Sequence, residues 1–210
     1  AQVLSLLHEL GADLNKAADN GLTPAHVAAG HGKADVVRVL HELGADLNKA
    51  ADNDWMPIHI AAANGHVKVL KELLSLGVSV DQAMAGGPTP VFLASQDNQK
   101  EALEFLIESG ADIALEFRST RARLITFAQN QGAAVLGRMT SYLQLHGITE
   151  DDATVGVSPL SIANIMGHEE IVALLTKALG KKAQSPSFFK QHLEVSPAVD
   201  EGRAAPVFSS

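Results

Sequence analysis

Between Asn20 and Asp52 the apolar residues fall into two short helical stripes separated by turn residues. Thr23 followed by Pro24 reads as a helix start, because a threonine hydroxyl accepts from orphan amides and proline is preset for the first helical position. Val27, Ala28 and Ala29 continue a short helix whose small side chains let a neighbouring helix approach closely. Val36, Val37, Leu40 and Leu43 then share one face at helical spacing and predict a second helix with a buried side. Gly32 and Gly44 stand where the two helices must end, in the left-handed conformation that glycine adopts at little cost. One such unit cannot bury its apolar face alone, so the pattern calls for stacked neighbours.

The chain supplies them. The run HELGADLNKAADN, from His8 to Asn20, recurs unchanged from His41 to Asn53, one 33-residue period later. The start segment Thr23-Pro24-Ala25-His26 returns as Met56-Pro57-Ile58-His59, Thr89-Pro90-Val91-Phe92, Arg123-Leu124-Ile125-Thr126 and Ser158-Pro159-Leu160-Ser161. This period and signature resemble the ankyrin repeat. The resemblance implies an all-α fold, an ankyrin-repeat solenoid of helix-turn-helix units joined by hairpin loops, over residues 1–180. Its expected parts are a partial unit 1–19 and units 20–52, 53–85, 86–118, 119–155 and 156–180. The regular units carry Gly32, Gly65 or Asn98 twelve residues before Gly44, Gly77 and Gly110. In unit 119–155 three extra residues separate Gly132 from Gly147, which predicts a longer second helix.

Residues 181–210 are rich in Ser, Pro, Ala and charge and read as a C-terminal capping segment followed by a weakly ordered tail. Phe188, Phe189 and Leu193 within it are expected to fold over the apolar last helix, Ile171 to Leu179. Leu4 and Leu7 align with Val37 and Leu40, so the chain opens inside a second helix and reads as a piece of a longer protein.

Composition narrows the function. With 210 residues at a formal charge of −8, the chain lacks the basic footprint of a general nucleic-acid binder. It has no cysteine, which rules out disulfides and thiol chemistry and suits a reducing compartment. No apolar run is long enough to span a bilayer. A monomer in the cytoplasm is expected, or in a host cytosol, because near-identical repeats fused to divergent ones resemble the arrays of secreted effectors of intracellular bacteria.

Nine histidines invite a metal or catalytic reading, but no HExxH, Cys/His ligand set or nucleophile elbow occurs. Neither an enzyme nor a metal or organic cofactor is expected. For His26 and His59 the resemblance implies a structural hydrogen bond between helix and loop. It also implies that loop tips and the exposed side of each first helix form a groove for a partner protein. Carried over by position, that groove takes Asn20, Leu22 and His31, then Asn53, Trp55 and Asn64, then Pro88, Gln96 and Asp97, with Asn130 and Gln131 from unit 119–155. Val157, Ile165 and Met166 would continue it in the last unit.

Trp55, the only tryptophan, is the expected anchor, flanked by Leu22 and Pro88 on adjacent tips. Arg118, Arg121 and Arg123 crowd one loop, as an acidic-ligand site centred on Arg121 or as partners of Glu150, Asp151 and Asp152. Asn15 and Asn48 match, in part, the context of asparagine hydroxylation in the resembling family. The expected function is therefore non-catalytic protein recognition. Its alternatives are a targeting arm for an enzyme or effector domain outside this segment, and a spacer packed on other domains.

Overall fold

The computed structural model describes residues 2–52, 54–84 and 87–183. Phe188, Phe189 and Leu193 lie outside that range. Helix α1 (Gln2–Glu9) is followed by three helix pairs: α2 (Pro24–Gly30) with α3 (Ala34–Glu42), α4 (Pro57–Ala63) with α5 (Val67–Ser75), and α6 (Pro90–Gln96) with α7 (Lys100–Glu108). Strand β1 (Phe117–Thr120), helices α8 (Arg121–Gln131) and α9 (Ala133–Leu145) and strand β2 (Thr154–Val157) come next. The chain then closes a fourth pair, α10 (Pro159–Met166) with α11 (Glu169–Ala183). No helix among the described residues is long and apolar enough to cross a membrane.

The pairs stack in two rows. First helices pack as α2 on α4 on α6, and second helices as α3 on α5 on α7, with α1 against α3. Val37, Leu40, Ile58, Ala61, Leu70, Leu73, Leu103 and Leu106 are fully buried between the rows. The helix ends follow the sequence: Gly32 and Gly65 have φ of +68° and +71°, and Asn98 holds the same left-handed place at φ 57°. Asparagine tolerates this conformation better than other non-glycine residues, so the turn keeps its shape without glycine.

The expected fourth layer is not in the stack. Helix α10 packs directly on α6, and α11 on α7, while α8 and α9 pack chiefly on each other. Interlayer bonds show the skipped length. His66 Nε2 bonds the Gly30 carbonyl 36 positions back at 2.9 Å, and His168 Nε2 bonds the Gln96 carbonyl 72 positions back at 2.9 Å. Likewise the Arg38–Glu72 ion pair spans 34 positions, and the Lys100–Glu170 pair spans 70.

The excursion leaves from a loop tip. In the preceding loop the Met84 amide donates to the Pro88 carbonyl, four positions on. In the next loop the corresponding residues, Phe117 and Val157, pair in the antiparallel β1–β2 ladder, forty positions apart. Thirty-six residues are thus added at the tip of one hairpin, and β1–β2 is that hairpin lengthened. The fourth signature, Arg123-Leu124-Ile125-Thr126, misled because it lies inside a true helix, α8, that starts like a repeat. Helix α9 has 13 residues against nine in α3, α5 and α7, so the longer second helix is present, but in the excursion.

A second apolar core, separate from that of the stack, holds the excursion down. Leu124, Ala128, Val135, Met139 and Leu143 join Val155 and Val157, and from the stack Phe92, Ile162 and Ile165. Phe117 meets Phe92 edge to face, with centroids 4.9 Å apart. The Arg138 guanidinium donates to the carbonyls of Ile165 and Met166 at 2.5 and 3.0 Å, and the Tyr142 hydroxyl donates to the Gly156 carbonyl at 2.7 Å. Helix α9 therefore lies along the exposed side of α10, satisfying orphan carbonyls at its end.

Candidate functional site

The first-helix row and its loop tips are built by imidazoles. At α2, the Thr23 amide donates to His26 Nδ1 at 3.1 Å, and the Thr23 hydroxyl lies 2.8 Å from the same nitrogen. Nδ1 is therefore the acceptor, and protonated Nε2 donates to the Trp55 carbonyl at 2.9 Å. One layer on, His59 Nδ1 accepts from the Met56 amide at 3.1 Å and Nε2 donates to the Gln82 carbonyl at 2.7 Å. Each ring thus fixes its own helix start and grips the following loop, the link that the resemblance implied. Burial pushes both imidazoles below their ordinary pKa and keeps them neutral. At α6, Phe92 replaces the ring, and the Thr89 hydroxyl accepts the Phe92 amide instead, at 3.4 Å.

These links set the tips. Trp55 is half-buried, and its carbonyl also accepts from the Ala51 amide at 2.8 Å across the hairpin. Asp54 before it has φ 64°, a left-handed residue that turns the chain at the tip. Asn20 Oδ1 accepts from the Leu22 amide at 3.2 Å, and its carbonyl accepts from the Asp52 amide of the adjacent tip at 3.4 Å. Leu22 and Pro88 are half-buried. Asn53 lies outside the described residues.

Behind the tips, His31, Asn64 and Asp97 follow the last residues of α2, α4 and α6 in matching positions. The Gln96 amide donates to the Asp97 carboxylate at 3.3 Å, while its carbonyl takes the bond from His168. Desolvation raises the Asp97 carboxyl above its usual range, opposed by the Gln96 amide and the nearby His168. An open trough of about 670 Å³ lies between the loop after α1, at Asp13, Lys16 and Ala17, and the outer face of α2, at Val27, Ala28 and His31, where no first helix precedes α2 among the described residues.

Val27, which would face a first helix before α2 and meets none among the described residues, is 51% exposed. Its counterpart Ile60 on α4 lies against Gly30 of α2 and is half-buried, and Leu93 on α6 and Ile162 on α10 are each 2% exposed. Val157 and Ile165, expected to extend the groove, are buried in the core shared with the excursion. Asn130 and Gln131 are exposed on the last turn of α8, in the excursion and off the first-helix row. The sequence register placed them with Gly30 and His31; their helix is not a layer of the stack.

Arg121 pairs with Asp151, and its amide donates to the Ala153 carbonyl at 3.0 Å. The arginine loop therefore meets its own acidic loop at the neck of the excursion, while Arg118 and Arg123 are exposed. Asn15 Oδ1 accepts from the Asp46 amide at 2.7 Å, and its own amide donates to Asp13 at 2.8 Å. The Asn48 amide likewise donates to Asp46 at 2.8 Å. Both asparagines sit in turns between layers, and Asn15 ties two of them together.

A family model for ankyrin repeats, in three copies, matches residues 1–84 and again 43–116. The chain belongs to the ankyrin repeat family. The match stops at residue 116, one position before β1 carries the chain out of the stack. No curated protein matches the chain. Ankyrin repeats are, as a family, protein–protein interaction modules, and typically have no chemistry of their own.

Proposed function

We propose that this array binds another protein across the open half of its first-helix row, with Trp55 as the central anchor. The observation that carries the reading is that the excursion core takes in Phe92, Ile162 and Ile165 of the row and no residue of α2 or α4, so the excursion leaves the α2–α4 face uncovered. Leu22, Trp55 and Pro88 border that face on three successive tips, and His31 and Asn64 stand at its back. The Trp55 backbone is held from two sides, by Ala51 and by His26, so its ring is presented from a fixed support. A preorganised aromatic is the kind of residue that dominates interface energies, since little entropy remains to be lost on binding. The bound segment crosses the layers along the tips at Leu22, Trp55 and Pro88, in front of His31 and Asn64.

A photo-crosslinking residue at position 64, exposed behind the Trp55 tip, tests this, compared with the same residue at position 181 on α11. One partner captured from position 64 and not from 181 is the expected outcome. With that partner purified, Trp55→Ala should weaken binding by about 2 kcal/mol or more, the hot-spot scale, and leave the melting curve nearly unchanged. Equal capture from both positions, or full-strength binding by Trp55→Ala, would place the site elsewhere.

A further inference from the structure

The half of the row that looks closed is closed by the chain itself. Helix α9 presents Val135, Met139 and Leu143, at i, i+4 and i+8, to a single apolar core with Phe92, Ile162 and Ile165. Arg138, at i+3, donates to the two carbonyls that end α10. This is how a helix engages a groove: an apolar stripe in the seat and one charged side chain fixing its position. The core so formed is separate from the core of the stack, and α10 also rests on α6 and α11 without help from the excursion. The covalent path between excursion and stack runs through the paired strands β1 and β2, a tether at one loop tip.

We propose that α9, with α8 behind it, is a built-in ligand of the α6–α10 half of the groove. The seat it fills is a second interaction surface, and its ligand class is a helix with apolar residues at i, i+4 and i+8 and an arginine at i+3. A partner carrying that pattern competes with α9, and the exchange frees the excursion while the stack stays intact. The inference shares the groove of the proposed function but uses its other half, so the two stand or fall on different residues.

The probe is a fluorescein-labelled synthetic peptide of residues 121–149, followed by anisotropy against the full chain and against a full-length Met139→Glu variant. Met139 is fully buried in the excursion core, so the carboxylate unseats α9 without altering any residue of the stack. Hydrogen exchange on the variant should show lost protection in α8 and α9 and retained protection in α2 to α7, α10 and α11. The peptide should bind the variant at least tenfold more tightly than the wild-type chain, whose seat is filled, and a peptide itself carrying Met139→Glu should not bind. Arg138→Ala in the full chain should raise exchange in α9 to a smaller degree. Trp55→Ala, introduced beside Met139→Glu, should leave peptide binding unchanged, which separates this surface from the Trp55 anchor. Loss of protection in α10 and α11 together with α8 and α9, or no peptide binding by a variant whose stack is still protected, overturns the proposal.

Discussion

Removing the excursion tests whether the stack is complete without it. Residues 121–153 are replaced by Asn-Gly, a two-residue hairpin turn that joins the paired ends Thr120 and Thr154. Far-ultraviolet circular dichroism should lose the signal of the 11 residues of α8 and the 13 of α9 and no more. The deletion opens Ile162 and Ile165, now 2% exposed, by at most the 51% seen at Val27, because α6 still packs beside α10. Full burial of such a side chain is worth about 1.5–3 kcal/mol, so half-opening two of them would weaken the α10–α11 layer by at most about 1.5–3 kcal/mol. At about 2–4 °C per kcal/mol for a chain of this size, the C-terminal layer should melt earlier, by up to several degrees. The α2–α5 layers should not shift, because each layer senses only its neighbours. Hydrogen exchange reads the layers separately: α10 and α11 should remain protected, held by Ala163, Ile171 and Leu175 in the main core. A helix loss well beyond those two helices, or unprotected amides in α11, would make the excursion a structural layer and refute the insertion reading.

Acid should weaken the N-terminal layers first. The folded pKa values of His26 and His59 lie below the ordinary 6.5, so the unfolded chain takes up protons that the folded one refuses. Their contribution is complete above pH 6.5 and is lost as pH falls below it, by at most about 1.4 kcal/mol per pH unit for each ring. Urea melts at pH 7.5 and 5.5 should show the fall, and a His26→Asn, His59→Asn double variant should show less of it; equal slopes in the two proteins would refute the assignment. Arg121→Glu should change stability by less than about 1 kcal/mol, since the pair with Asp151 is 31% and 74% exposed. Abolished partner binding with an unchanged melt would instead make the arginine loop a binding site.

Local signals were legible over long stretches because they repeat. Thr23-Pro24 and Ser158-Pro159 mark true helix starts, and Asn98 was readable as a stand-in for Gly32 and Gly65. What sequence reasoning missed was adjacency. A signature every 33 or so residues says that a unit is present, and says nothing of which unit it touches. Residues 121–145 carry a helix start, a glycine turn and a second helix, so they satisfy every local criterion for a layer. The difference lies in one side chain at matching positions: α10 places Ile165 where α2, α4 and α6 have Gly30, Ala63 and Gln96. A large aliphatic residue at a position that is otherwise small or polar signals that something folds over it, and here α9 does. The site divides in the same way. The tips Leu22, Trp55 and Pro88 follow from register alone, whereas Asn130, Gln131 and Val157 were assigned to a groove that the chain had already left or covered.

A stack tolerates such an insertion because its register is written across layers and not along the chain. The contacts that align α6–α7 with α10–α11 are the His168 bond to Gln96, the Lys100–Glu170 pair and the buried faces between them. The two polar contacts have counterparts two layers earlier, between α2–α3 and α4–α5, at about half the sequence separation. Lengthening a loop from a few residues to forty costs only the slow logarithmic growth of closure entropy, about 0.6 kcal/mol per doubling, and so about 2 kcal/mol in all. The excursion offsets that by forming its own core and by pairing β1 with β2 before the helices begin. A loop tip is also the place where an added element falls beside the binding face, since tips border the first-helix row. An insertion at a helix turn, such as Gly32 or Gly65, would instead emerge at the opposite end of the first helices from the tips. The choice of tip therefore couples a mild cost in stability to a specific gain: a helix delivered onto the groove at α10, with the Trp55 end left open.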